Sequence, residues 1–332
     1  MVQINDLLQK VREGDLLSKF ELMQMLEYPQ DSIETYMIMV EANRLSKELT
    51  HNQAEVHAQL ALNLAPCSCN CSFCSFAECN GVFKEDTRLS PEEAVGYAKQ
   101  FESDGANAIF IMTTAQYPFE LFIEMSQEIR RSLKQDTMMI ANVGDQSLDH
   151  AIKIKESGYS GVYHALRLRE GVDTALSPDA RKASIYNFQH SGLRVGTCVE
   201  PIGPEHTSEE LAEAIFFTGS FSPSYSGAAR RITIPGTQIA SRGMISELRM
   251  AQIVAVTRLG VPRIVPGNCT HEPCSLGAIA GANLFWAEVG ANPRDVKEKT
   301  EEGRGETVES CRQIFHESGW SVWNGPSRYY RS

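Results

Sequence analysis

The chain has 332 residues, 42% hydrophobic and 22% charged, with a formal net charge of −11. That size and balance fit one large or two ordinary globular domains and exclude long disorder, and the acidic excess argues against a phosphate-tracking surface, so nucleic acid is not an expected partner. No apolar run of about twenty residues offers a membrane span. The start, MVQINDLLQKVREGD, lacks the basic region and unbroken apolar stretch of a secretory signal, so the expected location is cytoplasmic.

Residues 1 to about 50 read as a helical lead-in, carried by ELMQMLEYP and IETYMIMVEANRLSKEL. AEVHAQLALNLAPC then has the character of a first strand. Beyond it a unit recurs in ESDGANAIFIM, KESGYSGVYHA, QHSGLRVGTCV and TRLGVPRIVPG: a helix end, a glycine stop (Gly105, Gly158, Gly192, Gly260) and a short apolar strand. IAGANLFWAEV repeats it around Gly281. Helix starts are also legible. In LSPEEAVGYAKQF, Ser90 caps, Pro91 takes the first helical position and Glu93 closes a capping box; SPDARKASIYNFQHSG and TSEELAEAIFFTG begin alike. Helices alternating with buried strands predict parallel βα units, and five or six in succession predict a full or nearly full, TIM-like (β/α) barrel over 51–332 whose chemistry lies at the strand ends.

The loop after the first strand holds five of the nine cysteines: Cys67, Cys69, Cys71, Cys74 and Cys79. In a reducing compartment such clusters bind metal or do redox chemistry. Cys67, Cys71 and Cys74 form a C-x3-C-x2-C set with Phe73 before the last. Three thiolates hold three irons of a cubane and leave the fourth iron open, whereas a closed zinc site wants four ligands. A zinc knuckle with Cys69 or Cys79 as fourth ligand is the competing reading.

This pattern resembles the signature of the radical S-adenosylmethionine (SAM) superfamily. The resemblance implies a [4Fe–4S] cluster whose open iron chelates SAM, and reductive cleavage of SAM to a hydrogen-abstracting 5′-deoxyadenosyl radical. Over nearly the whole chain the similarity is to the biotin synthase branch: LLSKFELMQMLEYPQDSIETYMIMVEANRL resembles its lead-in, TCVEPIGPEHTSEELAEAI its fifth-strand segment, and AIAGANLFWAEVGANPRD the segment, within about 230–332, that closes the barrel. It implies that Ile202 and Gly203 pack beside the adenine. SAM brings a carboxylate and ribose hydroxyls, so HALRLREG is read as supplying Arg167 or Arg169 for the carboxylate, on one strand face, and Glu170 for the ribose. A solvated charged loop is the bland alternative. The Gly-Gly-Glu of the second strand is replaced by IFIMTTAQ, where Thr113 and Thr114 offer hydrogen bonds.

The resemblance also implies a second, auxiliary iron–sulfur cluster as sulfur donor. Cys198 matches one of its cysteines, two other positions are apolar or amide, and PGNCTHEPC places Cys269 and Cys274 near the family's arginine, so Cys198, Cys269 and Cys274 are the expected ligands, with His271 a further candidate. Buried small hydrophobes are the alternative for Cys198 and for Cys311. The implied activity is sulfur insertion into dethiobiotin, with octanoyl groups on a carrier protein as alternative substrate. A radical mutase or hydrogenase-maturation-like enzyme without sulfur transfer, and a non-enzymatic iron–sulfur or zinc scaffold, are further alternatives. Flavodoxin or ferredoxin is the implied reductant, and a homodimer is admissible.

Overall fold

The computed structural model of the protein describes residues 2–331. Eight parallel strands, each followed by a helix, build the barrel: β1 (Gln53–Ala61), β2 (Ala108–Met112), β3 (Met138–Asn142), β4 (Gly161–Tyr163), β5 in two segments (Arg194–Gly196 and Val199–Ile202), β6 (Tyr225–Arg230), β7 (Gly267–Cys269) and β8 (Leu284–Val289). β8 and β2 flank β1, with Glu55 opposite Leu284 and Ala58 opposite Ile109. The curled sheet runs to β5, whose first segment pairs with β4 and whose second pairs with β6. The break between them is Thr197-Cys198. The expected full or nearly full barrel is therefore present.

Three helices precede the barrel, α1 (Ile4–Glu13), α2 (Lys19–Glu27) and α3 (Ile33–Thr50). The wall helices are α4 (Pro91–Ser103), α5 (Phe119–Ser132), α6 (Leu148–Glu156), α7 (Pro178–His190), α8 (Ser208–Ser220), α9 (Glu247–Gly260), the single turn α10 (Ser275–Ile279) and α11 (Val308–Glu317). Their starts follow from the sequence: Ser90 and Glu93 close a reciprocal box on α4, and Thr207 and Glu210 close one on α8. Gly105, Gly158 and Gly192 adopt the positive φ of glycine stops. Gly260 differs, because it is the last residue of α9 and its missing side chain is what Ile215 and Leu22 pack against; a Cβ there would sit within 3.0 Å of both. The lead-in helices are fastened to the wall. Buried Gln252 on α9 donates to the carbonyls of Met25 and Tyr28 and to Thr35, and Ser46 donates to the Gly281 carbonyl.

Alternation along each strand divides the side chains. Ala54, Val56, Ala58 and Leu60 of β1 face the helices, in the large outer core. Glu55, His57 and Gln59 face inward. The lowest inner layer is filled by the chain's own C-terminal segment: Glu55 accepts from Ser327 Oγ (2.5 Å), the Arg328 amide (2.8 Å) and His57 Nε2 (2.9 Å). Tyr329 and Tyr330 then enter the barrel beside Phe110, Tyr225 and Trp286. Glycine makes the room, since a Cβ on Gly161 or Gly196 would fall within 3.0 Å of Tyr330, and one on Gly267 within 3.0 Å of Tyr225. Tyr330→Ala is expected to cost about 3–5 kcal/mol, the usual range for a buried aromatic truncation, read as an anaerobic shift in denaturation midpoint; an unchanged midpoint contradicts this plug.

Candidate active site

The strand ends at the other mouth surround a cavity with about 1350 Å³ of empty space, counting its open mouth. Its floor is the uppermost inward layer: Gln59, Met112, Asn142, Glu200, His271 and Glu288, with Trp286 and Phe110 below. Gln59 accepts a hydrogen bond from Asn142 (2.8 Å), and Arg294 forms a two-oxygen ion pair with Glu288 (2.8 and 3.1 Å). A smaller polar recess continues from His271 and Glu288 toward Arg304 and Glu306.

The loop of cysteines roofs this cavity. It is tied down by backbone hydrogen bonds to two other strand-end loops, from Ser72 to Asp173 (2.8 Å), from Ala175 to Cys69 (2.8 Å) and from Ser75 to Pro293 (3.1 Å). The Asn80 amide spans the Cys71 and Cys74 carbonyls (3.2 and 2.8 Å), and Asn70, with φ 45°, accepts from the Cys79 amide. Cys67, Cys69, Cys71, Phe73 and Cys74 all line the cavity; Cys79 is exposed. Among the described residues, no three sulfurs of the loop lie within 4.8 Å of one another. Burial pushes the Cys71 thiol up to about 11 and Cys74 to about 12; Cys67, which takes a hydrogen bond from Cys69, falls to about 6. Buried thiols of this kind ionise when a cation binds them.

Arg167 and Arg181 face the loop from below. Arg167 is half-buried, and Glu200 and Glu170 outweigh its desolvation and hold it charged; its Nε lies 3.7 Å from Glu200. Arg181, on α7, approaches Asp145 (3.3 Å) and Glu170 (3.7 Å). Thr113 and Thr114 line the cavity, and Asn63 fixes Thr114 by two 2.9 Å hydrogen bonds.

The other expected SAM contacts fall elsewhere. β4 ends at Tyr163, so Arg167 and Arg169 lie in a turn and not on one strand face; Arg169, with φ 57°, swings out to Asp173 (3.1 Å). Glu170 is buried beside the cavity, accepting from Thr174 and from the Arg167 amide. Ile202 belongs to the outer core. Gly203 abuts the Arg231–Glu205 ion pair.

The expected triad of Cys198, Cys269 and Cys274 does not assemble. Cys198 and Cys269 meet below the floor with His271, while Cys274 caps α10, its Sγ accepting from the Gly277 amide (3.4 Å). Cys311 is buried in the outer core, on α11. His271 Nδ1 is 3.2 Å from Glu200. Burial opposes both charges, but the pair prevails: Glu200 is held down to about 2, and His271, beside Cys198 and Glu200, is raised to about 9.

No family model matches the chain. Curated proteins to which it is similar include biotin synthases. That of Persephonella marina is 23% identical over 268 residues, 78% of this chain and 79% of the relative; that of Desulforudis audaxviator is 25% identical over 268 residues, 78% and 80%. Among solved structures, the FeFe-hydrogenase maturase HydG from Carboxydothermus hydrogenoformans superposes with a TM-score of 0.80 at 19% identity, over 99% of this chain and 81% of that one. Methylornithine synthase (PylB) gives 0.80 at 18% identity, over 97% and 98%. The likeness to these relatives indicates the radical SAM superfamily, biotin synthase-like branch, whose members carry a [4Fe–4S] cluster and SAM. No helix among the described residues is long and apolar enough to cross a membrane.

Sequence reading overlooked Arg181, Glu200, Glu288, Arg294 and the Gln59–Asn142 pair. Gln59 had a signal in the polar alternation of Gln53, Glu55, His57 and Gln59. One pH dependence follows from this network. His164, buried against Asp145 (2.9 Å) and Arg181, has its pKa pushed by burial and by Arg181 from 6.5 to about 4. The unfolded chain binds its proton first, so stability is to fall as pH drops from about 6.5 to about 4, by roughly 3 kcal/mol from this group. His164→Gln should flatten that window in anaerobic denaturation curves.

Proposed function

We propose that Cys67, Cys71 and Cys74 are the cluster ligands, and that the cavity beneath them takes SAM and a small-molecule substrate bearing both an apolar part and a charged or amide head group. The observation carrying this reading is that the three cysteines, a carboxylate-paired arginine and the paired polar floor line one cavity. When bound, cluster and SAM supply a 5′-deoxyadenosyl radical for hydrogen abstraction.

The chain's own residues provide binding, orientation and exclusion of water. Arg167 is assigned to the SAM carboxylate: it is fixed, charged and beside the cysteine loop, and Glu200 below keeps it in place. Glu170 is a positioning residue for the Arg167 turn, and Thr113 offers its hydroxyl at the rim. Phe73 and Phe76 wall the cavity near the cysteines; Phe110, Tyr163 and Trp286 keep water from its base. Gln59, Asn142 and the Glu288–Arg294 pair present donors and acceptors to a head group. Electron supply from flavodoxin or ferredoxin, and a cytoplasmic location, belong to the same proposal.

Sulfur insertion of the biotin synthase type is a second reading, favoured by the relatives' names and by Cys198 lying on β5 with Cys269 beside it. Biotin formed from dethiobiotin, or a lipoyl product from an octanoylated carrier protein, in anaerobic assays would establish it; cleavage of SAM without either product would leave hydrogen abstraction alone.

Cys67→Ala, Cys71→Ala and Cys74→Ala should each abolish 5′-deoxyadenosine formation in reconstituted protein with dithionite, while Cys79→Ala keeps it; activity in any of the first three overturns the ligand assignment. Arg167→Met should weaken SAM binding by roughly tenfold or more, the scale of a lost charge-assisted hydrogen bond, with cluster content unchanged.

A further inference from the structure

Where the cavity floor meets the layer beneath it, the ligand atoms of Cys198, Cys269 and His271 all lie within 4.8 Å of one another. Three backbone features bring them there. Cys198 occupies the break in β5, where the chain passes from pairing with β4 to pairing with β6. Cys269 ends β7, and His271, two residues on, faces the same interior. Gly227 of β6 lies opposite, and a Cβ there would come within 3.0 Å of the Cys269 backbone and sulfur. The thiols are 1% and 0% exposed. His271 is held by Glu200 at 3.2 Å and packs edge-on to Trp286, 5.0 Å between centroids.

We propose that Cys198, Cys269 and His271 form a mononuclear site for a borderline divalent cation, Zn²⁺ or Fe²⁺, with its remaining coordination position turned to the cavity. Two thiolates and an imidazole are the donor set such ions select. Bonds of 2.0–2.3 Å at tetrahedral angles put ligand atoms roughly 3.3–3.8 Å apart, within the observed span, whereas a two-iron cluster divides its ligands between two metals. Inward positions on β2 and β3 hold Phe110 and Ile140, which add no ligand. Glu200 behind His271 is the carboxylate that orients a metal-bound imidazole. His271 and Glu200 also line the cavity, so a substrate amine, carboxylate or thiolate would reach the ion there. The site uses none of the loop cysteines and stands or falls apart from the SAM-cluster assignment.

The test uses the full chain with Cys67, Cys71 and Cys74 all replaced by Ala, purified anaerobically and titrated with Co²⁺. The expected result is one Co²⁺ per chain, with thiolate-to-cobalt charge transfer and the strong visible bands of a tetrahedral site, displaced by Zn²⁺. In that background Cys198→Ser, Cys269→Ser and His271→Gln should each weaken Co²⁺ binding by roughly tenfold or more, and Cys274→Ser should not. His271→Gln, which keeps both buried thiols, guards against loss of folding in the cysteine variants, and circular dichroism checks each. Reconstitution with iron and sulfide should yield one iron and no labile sulfide. Two irons with two sulfides, a Cys198–Cys269 disulfide in the anaerobic protein, or Co²⁺ binding indifferent to these variants would overturn the proposal.

Discussion

The constraint on which the structure depends is the alternation of side chains along eight parallel strands of one curled sheet. Side chains alternate inward and outward along each strand, and a layer is filled by the few inward side chains of alternate strands, so its filling is hard to change singly. The lowest layer combines glycines with Tyr329 and Tyr330 from the far end of the chain, and a buried carboxylate, Glu55, holds that segment by its backbone and Ser327. The middle layer is mostly aromatic and closely packed. With both sealed, only the top layer borders open space, and that is where the polar inward residues face a cavity.

Charge in the cavity is organised by pairing. Five arginines line it, Arg167, Arg181, Arg230, Arg231 and Arg294, against two carboxylates, Glu200 and Glu288. The balance is redressed by acids from outside: Glu272 for Arg230, Glu205 for Arg231, Asp145 and Glu170 for Arg181. Buried ions cost desolvation that only close partners offset, and here each partner also fixes its arginine's position. A charge fixed beforehand needs no reorganisation when an anionic group arrives. Arg167 sits nearest the cysteine loop's underside between Glu200 and the Glu170 turn, while Arg181 behind it is the more deeply buried of the two.

Much of this was legible in the sequence, and the parts that were not share a cause. The capping boxes of α4 and α8, the glycine stops and the position of the cysteine loop after β1 are local signals, and local signals survive folding. HALRLREG misled because alternation was extended past Tyr163, where the strand has already ended and Arg169 takes a left-handed turn. Cys274 looked like a partner of Cys269 because it is near in sequence; in the barrel, His271 is the residue that shares Cys269's inward face, two positions along. Arg181 could not be assigned because it sits on a wall helix and reaches the cavity only through burial. The C-terminal plug carried no pattern of its own, since SRYYR acquires its role from glycines on three distant strands.

The central claim is that the cluster held by the loop after β1 presents an open iron to SAM in this cavity. It is tested most directly by electron–nuclear double resonance on the reduced, reconstituted protein with SAM isotope-labelled at its carboxylate and amine. Hyperfine coupling from both labels, absent in the Cys67/Cys71/Cys74 triple alanine variant, is the predicted result. A reduced cluster that shows no coupling to either label, with SAM at saturating concentration, would contradict the account.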